Sequence, residues 1–286
     1  MAYHSIAARP IAGALGAEIE GVDLSRPLDN QAWSEILDAF HRYGVIFFRR
    51  QNLTPEQHKA FSLRFGPHQP VPFVKSWDAH PEMIRVVKEA SDVGVRNFGG
   101  SWHSDLSYLP APALGSALYA VEVPAHGGDT LWSSMAAAYD ALSDGMQRLL
   151  AGLSAVHSPT AAYGSAGRYV DQRLSGMAFD TRDQPDRETV HPVVIVHPAT
   201  GRRCLFINGG YTIRFAGLTE AESKPLLDYL LTHAVRPEFT CRFRWSAGTL
   251  AVWDNRCTQH YAINDYDGSR REMRRTTMAG AAPVAG

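Results

Sequence analysis

What most limits the folds open to this chain is the shortness of its apolar runs. None of them reaches the 18 residues that a membrane-spanning helix requires. Instead, brief runs rich in Val, Ile, Phe and Trp recur between turn-forming residues, at 45–48, 83–87, 116–123, 191–196, 203–208, 239–245, 249–253 and 271–277. Runs this short, bounded by Gly, Pro and Asn, read as strands. The first 25 residues, broken by Gly13, Gly16 and Gly21, also fit strands better than helix.

Helical signals are few and local. Trp33, Ile36, Leu37 and Phe40 share a helical spacing after Asp29, and Gly44 stops them. Thr54-Pro55-Glu56-Gln57 carries a cap, a first-turn proline and a capping-box glutamine; Gly66 ends that helix. A helical hairpin is predicted over 135–152 with Ser143 as a cap. Thr219 and Glu222 open another helix running to about His233, with Pro225 inside it marking a kink or a later start. Many strands with a handful of helices predict a mainly β fold with flanking helices, a sandwich or jelly roll. No linker or repeat interrupts the chain, so residues 1–286 are read as a single domain.

Composition removes several function classes. The net charge is -1, from 28 basic and 29 acidic residues, which gives no electrostatic case for nucleic acid. Three cysteines (Cys204, Cys241, Cys257) are too few and too unpatterned for a disulfide framework. With no signal segment, the expectation is a cytoplasmic protein without membrane partners.

Two stretches are largely irregular, 67–100 around its one strand at 83–87, and 158–190, and segments of this length in compact domains are commonly functional. The first runs into Gly99-Gly100 and then into Trp102-His103-Ser104-Asp105, so it is a candidate lid or pocket edge, and the second is a candidate lid. If the His103 stretch is a strand, His103 and Asp105 face the same side. An imidazole and a carboxylate together, joined by a second imidazole, would bind one face of a non-haem Fe(II). The pair alone is weak, because composition would supply roughly 0.7 His-x-Asp pairs by chance. His80-Pro81-Glu82 has the same spacing, but Pro81 argues for a loop.

The last strand carries a second pattern. Arg271 and Arg275 lie four residues apart, on one face and ~13 Å from each other at Cα. If that face is buried, two guanidinium groups need anions, either two guests or one guest and a structural carboxylate. If the strand is an Arg-rich edge (Arg270, Arg271, Arg274, Arg275), one or both face solvent.

Four motifs resemble those of the taurine dioxygenase/2,4-dichlorophenoxyacetate dioxygenase (TauD/TfdA) family of Fe(II)- and 2-oxoglutarate-dependent oxygenases. They are Trp102-His103-Ser104-Asp105, Gly127-Gly128-Asp129-Thr130-Leu131-Trp132, Trp253-Asp254-Asn255-Arg256 through Gln259-His260, and Arg270-Arg271 to Arg275. They occur in the family's order, and the similarity extends from about residue 10 to 280.

The resemblance implies a double-stranded β-helix. It implies His103, Asp105 and His260 as iron ligands, with Thr130 and Arg271 holding the distal carboxylate of 2-oxoglutarate. Arg275 would meet an anionic substrate, and a homo-oligomer is expected. With O2, 2-oxoglutarate would be converted to succinate and CO2 while a substrate C–H is hydroxylated. Retention of the Asp105 carboxylate speaks against halogenation.

The substrate pocket departs from the taurine pattern. Val71, Val74 and Gly99 stand where that pattern has polar groups, and Tyr163 and Tyr211 match aromatic positions. The chain looks most like the aryloxyalkanoate branch, so an anionic carboxylate with an apolar or aromatic body is expected. Taurine, an alkyl sulfonate or an alkyl sulfate is the runner-up. Two other classes remain: a non-catalytic, metal-containing β-helix that only binds, and a zinc hydrolase.

Overall fold

The computed structural model describes residues 3–164, 167–169, 174–180 and 187–286. In chain order the elements are β1 (Ala7–Pro10), β2 (Ala17–Glu20), α1 (Asn30–Tyr43), β3 (Val45–Phe48), α2 (Pro55–Leu63), β4 (Met83–Lys88), β5 (Gly115–Glu122) and β6 (Thr130–Ser134). Next come α3 (Met135–Asp140), α4 (Asp144–Leu150), β7 (Ser154–His157), α5 (Thr160–Tyr163), β8 (Thr189–Pro192), β9 (Val194–Val196), β10 (Arg203–Leu205) and β11 (Thr212–Phe215). The chain ends with α6 (Glu220–Ala234), β12 (Thr240–Phe243), β13 (Leu250–Asp254), β14 (Thr258–Ala262) and β15 (Arg271–Met278).

The main sheet runs β1-β2-β3-β13-β5-β15-β4, and a smaller sheet runs β12-β6-β14. Strand alternation decides what lies between them. From β3, Val45 and Phe47 point inward; from β13, Ala251 and Trp253; from β15, Met273. They meet Trp132, Cys241 and Phe243 of the smaller sheet. Phe47 stacks on Phe243 with ring centroids 3.8 Å apart, and Trp132 packs edge-on to Trp253 at 5.8 Å. This is the expected jelly roll, two facing sheets with side chains interdigitated between them.

The alternate residues Ile46, Phe48, Leu250 and Val252 face outward and are covered by Ile36, Ala39 and Phe40 of α1 and Phe61 of α2. At the other end, α3 and α6 pack on β9, β10 and β11. No helix among the described residues is long and apolar enough to cross a membrane.

The local helix signals hold. Asp29 caps α1 and Gly44 ends it with a left-handed φ of 69°. Thr54 and Thr219 both form capping boxes, and Ser143 caps α4. Pro225 neither delays nor ends α6, which starts at Glu220 and runs through it to Ala234. The capping box fixes the start, and proline's missing N–H costs a single intrahelical bond in the second turn.

Two expectations are corrected. The His103 stretch is not a strand: His103 makes a single antiparallel bridge to His260, and Asp105 opens a turn. Nor is the Arg-rich strand an edge, because β15 lies between β5 and β4. Arg271 and Arg275 are consequently buried, at 4% and 5% exposure. Part of the second candidate lid, 158–190, lies outside the described residues.

Candidate active site

The site forms where the turn after Trp102 is pinned to β14. His103 N–H donates to the His260 carbonyl at 3.0 Å, and His260 N–H donates to the His103 carbonyl at 2.8 Å. This reciprocal pair places the two imidazoles side by side, with ring centroids 4.1 Å apart. Immediately after Asp105 the chain reverses through Leu106, whose φ is 56°. That reversal, and not a shared strand face, returns the Asp105 carboxylate to the imidazoles.

Asp105 Oδ1 lies 3.6 Å from His103 Nε2 and 3.8 Å from His260 Nε2. All three side chains are buried, and one ligand atom from each falls within 4.8 Å of the others. His103 Nδ1 bonds the Ser101 carbonyl at 2.7 Å, which leaves Nε2 as the acceptor lone pair facing the carboxylate. Glycines let the walls close on this ring. A Cβ at Gly210 would come within 2.8 Å of His103 Cβ. Gly99 has a φ of 82°, and a Cβ there would sit 3.5 Å from His103 Cε1.

The two oxygens of Asp105 have different partners. Oδ2 accepts from Ser116 Oγ at 2.9 Å and from Asn255 Nδ2 at 3.3 Å. Asn255 Oδ1 in turn accepts from the Asp105 backbone N–H and from Trp253 Nε1, both at 3.1 Å. Oδ1 faces the imidazoles and also pairs with Arg275 Nη2 at 2.7 Å.

Electrostatics suit metal ligation. Burial pushes the Asp105 carboxyl up, but Arg275, His260, His103 and the Ser116 hydrogen bond outweigh it and hold it well below the usual carboxylate range. Burial pushes both imidazoles down, His260 further because His103 stands beside it. The set therefore presents an ionised carboxylate and two neutral imidazoles, the forms that bind a metal.

One cavity opens beside these residues, lined by Gly99, His103, Thr130, His260, Arg271 and Arg275 among others. Arg271 is buried, and its Nε and Nη2 have no hydrogen-bond partner. Its guanidinium lies 5.9 Å from the Trp245 ring, whose Nε1 donates to Thr130 Oγ1 at 3.0 Å. A buried guanidinium with open donors next to a hydroxyl is suited to receive an anion. These residues fit the distal carboxylate of a dicarboxylate.

Arg275 also borders a second cavity, whose lining includes Val71, Val74 and Ile84. Tyr211 lies 6.1 Å from His103 by ring centroids, and Tyr163 packs 4.8 Å from Phe73. Both belong to an aromatic cluster with Tyr108. His80 and Glu82 do not join the site: His80 bridges Trp77, and Glu82 pairs with Lys59.

Sequence reasoning did not assign roles to Ser116, Asn255, Trp245 or Tyr266. Only Asn255 had a signal, its place in the quoted Trp253-Asp254-Asn255-Arg256 motif. A second group, His197, Asp254 and Cys257, also has metal-like spacing. There, however, Arg256 binds both Asp254 oxygens, and His197 bonds Asp254 through Nε2 and Thr200 N–H through Nδ1. Its donors are already committed to one another.

The chain matches the family model "Taurine catabolism dioxygenase TauD, TfdA family" over residues 7–277. It is 38% identical to the alpha-ketoglutarate-dependent sulfate ester dioxygenase of Pseudomonas putida, over 96% of this chain and 90% of that protein. It is 36% identical to an alkylsulfatase of Acinetobacter baylyi, over 95% and 84%. A solved taurine dioxygenase from Burkholderia xenovorans superposes with a TM-score of 0.82 at 37% identity, covering 99% of this chain and 93% of that one.

Proposed function

This chain belongs to the TauD/TfdA family and is an Fe(II)- and 2-oxoglutarate-dependent dioxygenase; from that premise we propose that it oxidises a primary alkyl sulfate ester with an apolar body. The expectation of an aryloxyalkanoate gives way to its runner-up, because the relatives above are named for sulfate esters. The observation that carries the reading is Arg275. It is a buried guanidinium with an unpartnered Nε, bordering a cavity walled by Val71, Val74 and Ile84. A fork of N–H donors at an apolar wall suits an anionic head on a greasy body.

In this reading His103, Asp105 and His260 hold the iron, and Thr130 and Arg271 hold the distal carboxylate of 2-oxoglutarate. Arg275 takes the substrate anion, while Val71, Val74, Gly99, Tyr163 and Tyr211 shape the space around its body. Residues 1–286 act as one domain. Held by His103, Asp105 and His260, iron with 2-oxoglutarate and O2 would supply the oxidant, with succinate and CO2 as co-products. Three side-chain contacts keep Asp105 ionised and aimed, and burial keeps both imidazoles neutral. The anion site fixes which carbon lies nearest the metal. Hydroxylation of the carbon bearing the ester oxygen gives a hemiacetal sulfate. That collapses to an aldehyde and inorganic sulfate as the C–O bond breaks.

The test is a substrate panel assayed for succinate and inorganic sulfate: linear alkyl sulfates, alkyl sulfonates, taurine and aryloxyalkanoates. Equimolar succinate and sulfate from an alkyl sulfate is expected. Succinate production confined to aryloxyalkanoates would overturn the sulfate reading. The ring cluster of Phe73, Tyr108, Tyr163 and Tyr211 is the feature that favours this second substrate class.

A further inference from the structure

Arg275 faces two ways. Its Nη2 sits 2.7 Å from Asp105 Oδ1, the oxygen directed at both imidazoles. Its Nε is buried and unpartnered. The side chain borders both the cavity beside the imidazoles and the cavity walled by Val71 and Val74. The other oxygen, Oδ2, is held by Ser116 and Asn255, so Asp105 cannot rotate to give Arg275 one oxygen and a metal the other without breaking those bonds.

We propose that Arg275 couples occupancy of the substrate-anion site to the metal affinity of Asp105. The inference rests on the reading of His103, Asp105 and His260 as the metal ligands. A guanidinium on Oδ1 draws on the same lone pairs that a divalent cation needs, and it adds a positive charge beside that cation. An anion arriving at Arg275 offers it a second acceptor and neutralises it. The carboxylate then gives more of its charge to the metal. Coupling of this kind is reciprocal: the anion tightens the metal, and the metal tightens the anion. An empty substrate site would thus keep the metal less firmly held, and a filled one would fasten it.

The experiment measures Mn(II) affinity by calorimetry or by the free-ion paramagnetic resonance signal, without turnover. Wild-type protein is titrated with Mn(II) alone and with Mn(II) plus inorganic sulfate as the anion probe. Sulfate should tighten Mn(II) binding on the order of tenfold, the scale of ordinary site–site coupling. Arg275→Gln should bind Mn(II) more tightly than wild type with no anion present, and sulfate should then have no effect on it. Arg275→Lys, which keeps the charge but loses the fork, should fall between the two. Equal or weaker Mn(II) binding by Arg275→Gln, or a wild-type affinity indifferent to sulfate, would overturn the coupling. Absence of any Mn(II) binding in wild type would instead sink the assignment of the metal ligands.

Discussion

Asn255→Ala tests how the Asp105 carboxylate, the proposed metal ligand, is held. Asn255 is 2% exposed and serves three groups. Its Oδ1 accepts from the Asp105 backbone N–H and from Trp253 Nε1 at 3.1 Å each, and its Nδ2 reaches Asp105 Oδ2 at 3.3 Å. Truncation leaves two buried donors without an acceptor, at about 1–3 kcal/mol each. It also removes a long bond to a charged group, adding about 1 kcal/mol, for a total of about 3–7 kcal/mol.

Ser116→Ala is the control. It removes a single 2.9 Å bond to Oδ2, an oxygen that Asn255 still serves, and should cost about 1.5 kcal/mol. The assay is denaturant unfolding of metal-free protein, comparing midpoints at unchanged slope. If Ser116→Ala proved as costly as Asn255→Ala, stranded donors would not be the source of the loss. The amide would then be a bystander to the position of Asp105.

Two further outcomes follow from named groups. Arg271→Ala should raise the 2-oxoglutarate concentration needed for half-maximal turnover by roughly 10- to 150-fold, from about 1.5–3 kcal/mol of charged hydrogen bonding. A change confined to the organic substrate would mean that the two arginine roles are exchanged. Burial holds His58 down to about 3, with its Nδ1 unpartnered. The unfolded chain therefore binds the proton more readily between that value and about 6.5, so stability is full above the upper limit and falls as pH drops. At pH 5 this group alone should cost about 2 kcal/mol relative to pH 7, read by unfolding at both values, and His58→Gln should flatten the slope.

What the sequence revealed was mostly local. The caps at Asp29, Thr54, Ser143 and Thr219 are recognisable within four residues and appear where expected. The ligand-type residues were legible through motif order, but their geometry was not. The Trp102–Asp105 stretch looks extended, yet what positions it is a bridge to His260, more than 150 residues away, followed by a left-handed turn. Whether β15 is an edge depends on β4 reaching its far side, a pairing that no local signal in residues 270–278 announces. The same non-locality concealed Arg275's partner. The need for an anion could be read from two inward arginines, but not that Asp105 would meet one of them. Substrate preference was least legible, because Val71 and Val74 lie in the irregular part of the 67–100 stretch, where no strand alternation fixes which side chains point inward.

Both guanidiniums proposed to receive anions, Arg271 and Arg275, belong to one strand, and that has a consequence for how such a protein can diversify. On the β4 side, β15 keeps unbroken register from Arg271↔Lys88 to Thr276↔Met83, while the pairing with β5 shifts between Glu272 and Met273. The strand therefore works as a ruler with two fixed marks. Losing one residue between the marks would turn one guanidinium to the outer face and leave the other in place. New guests must be accommodated by reshaping the loops around a constant gauge, with the distance from cosubstrate to substrate head inherited unchanged.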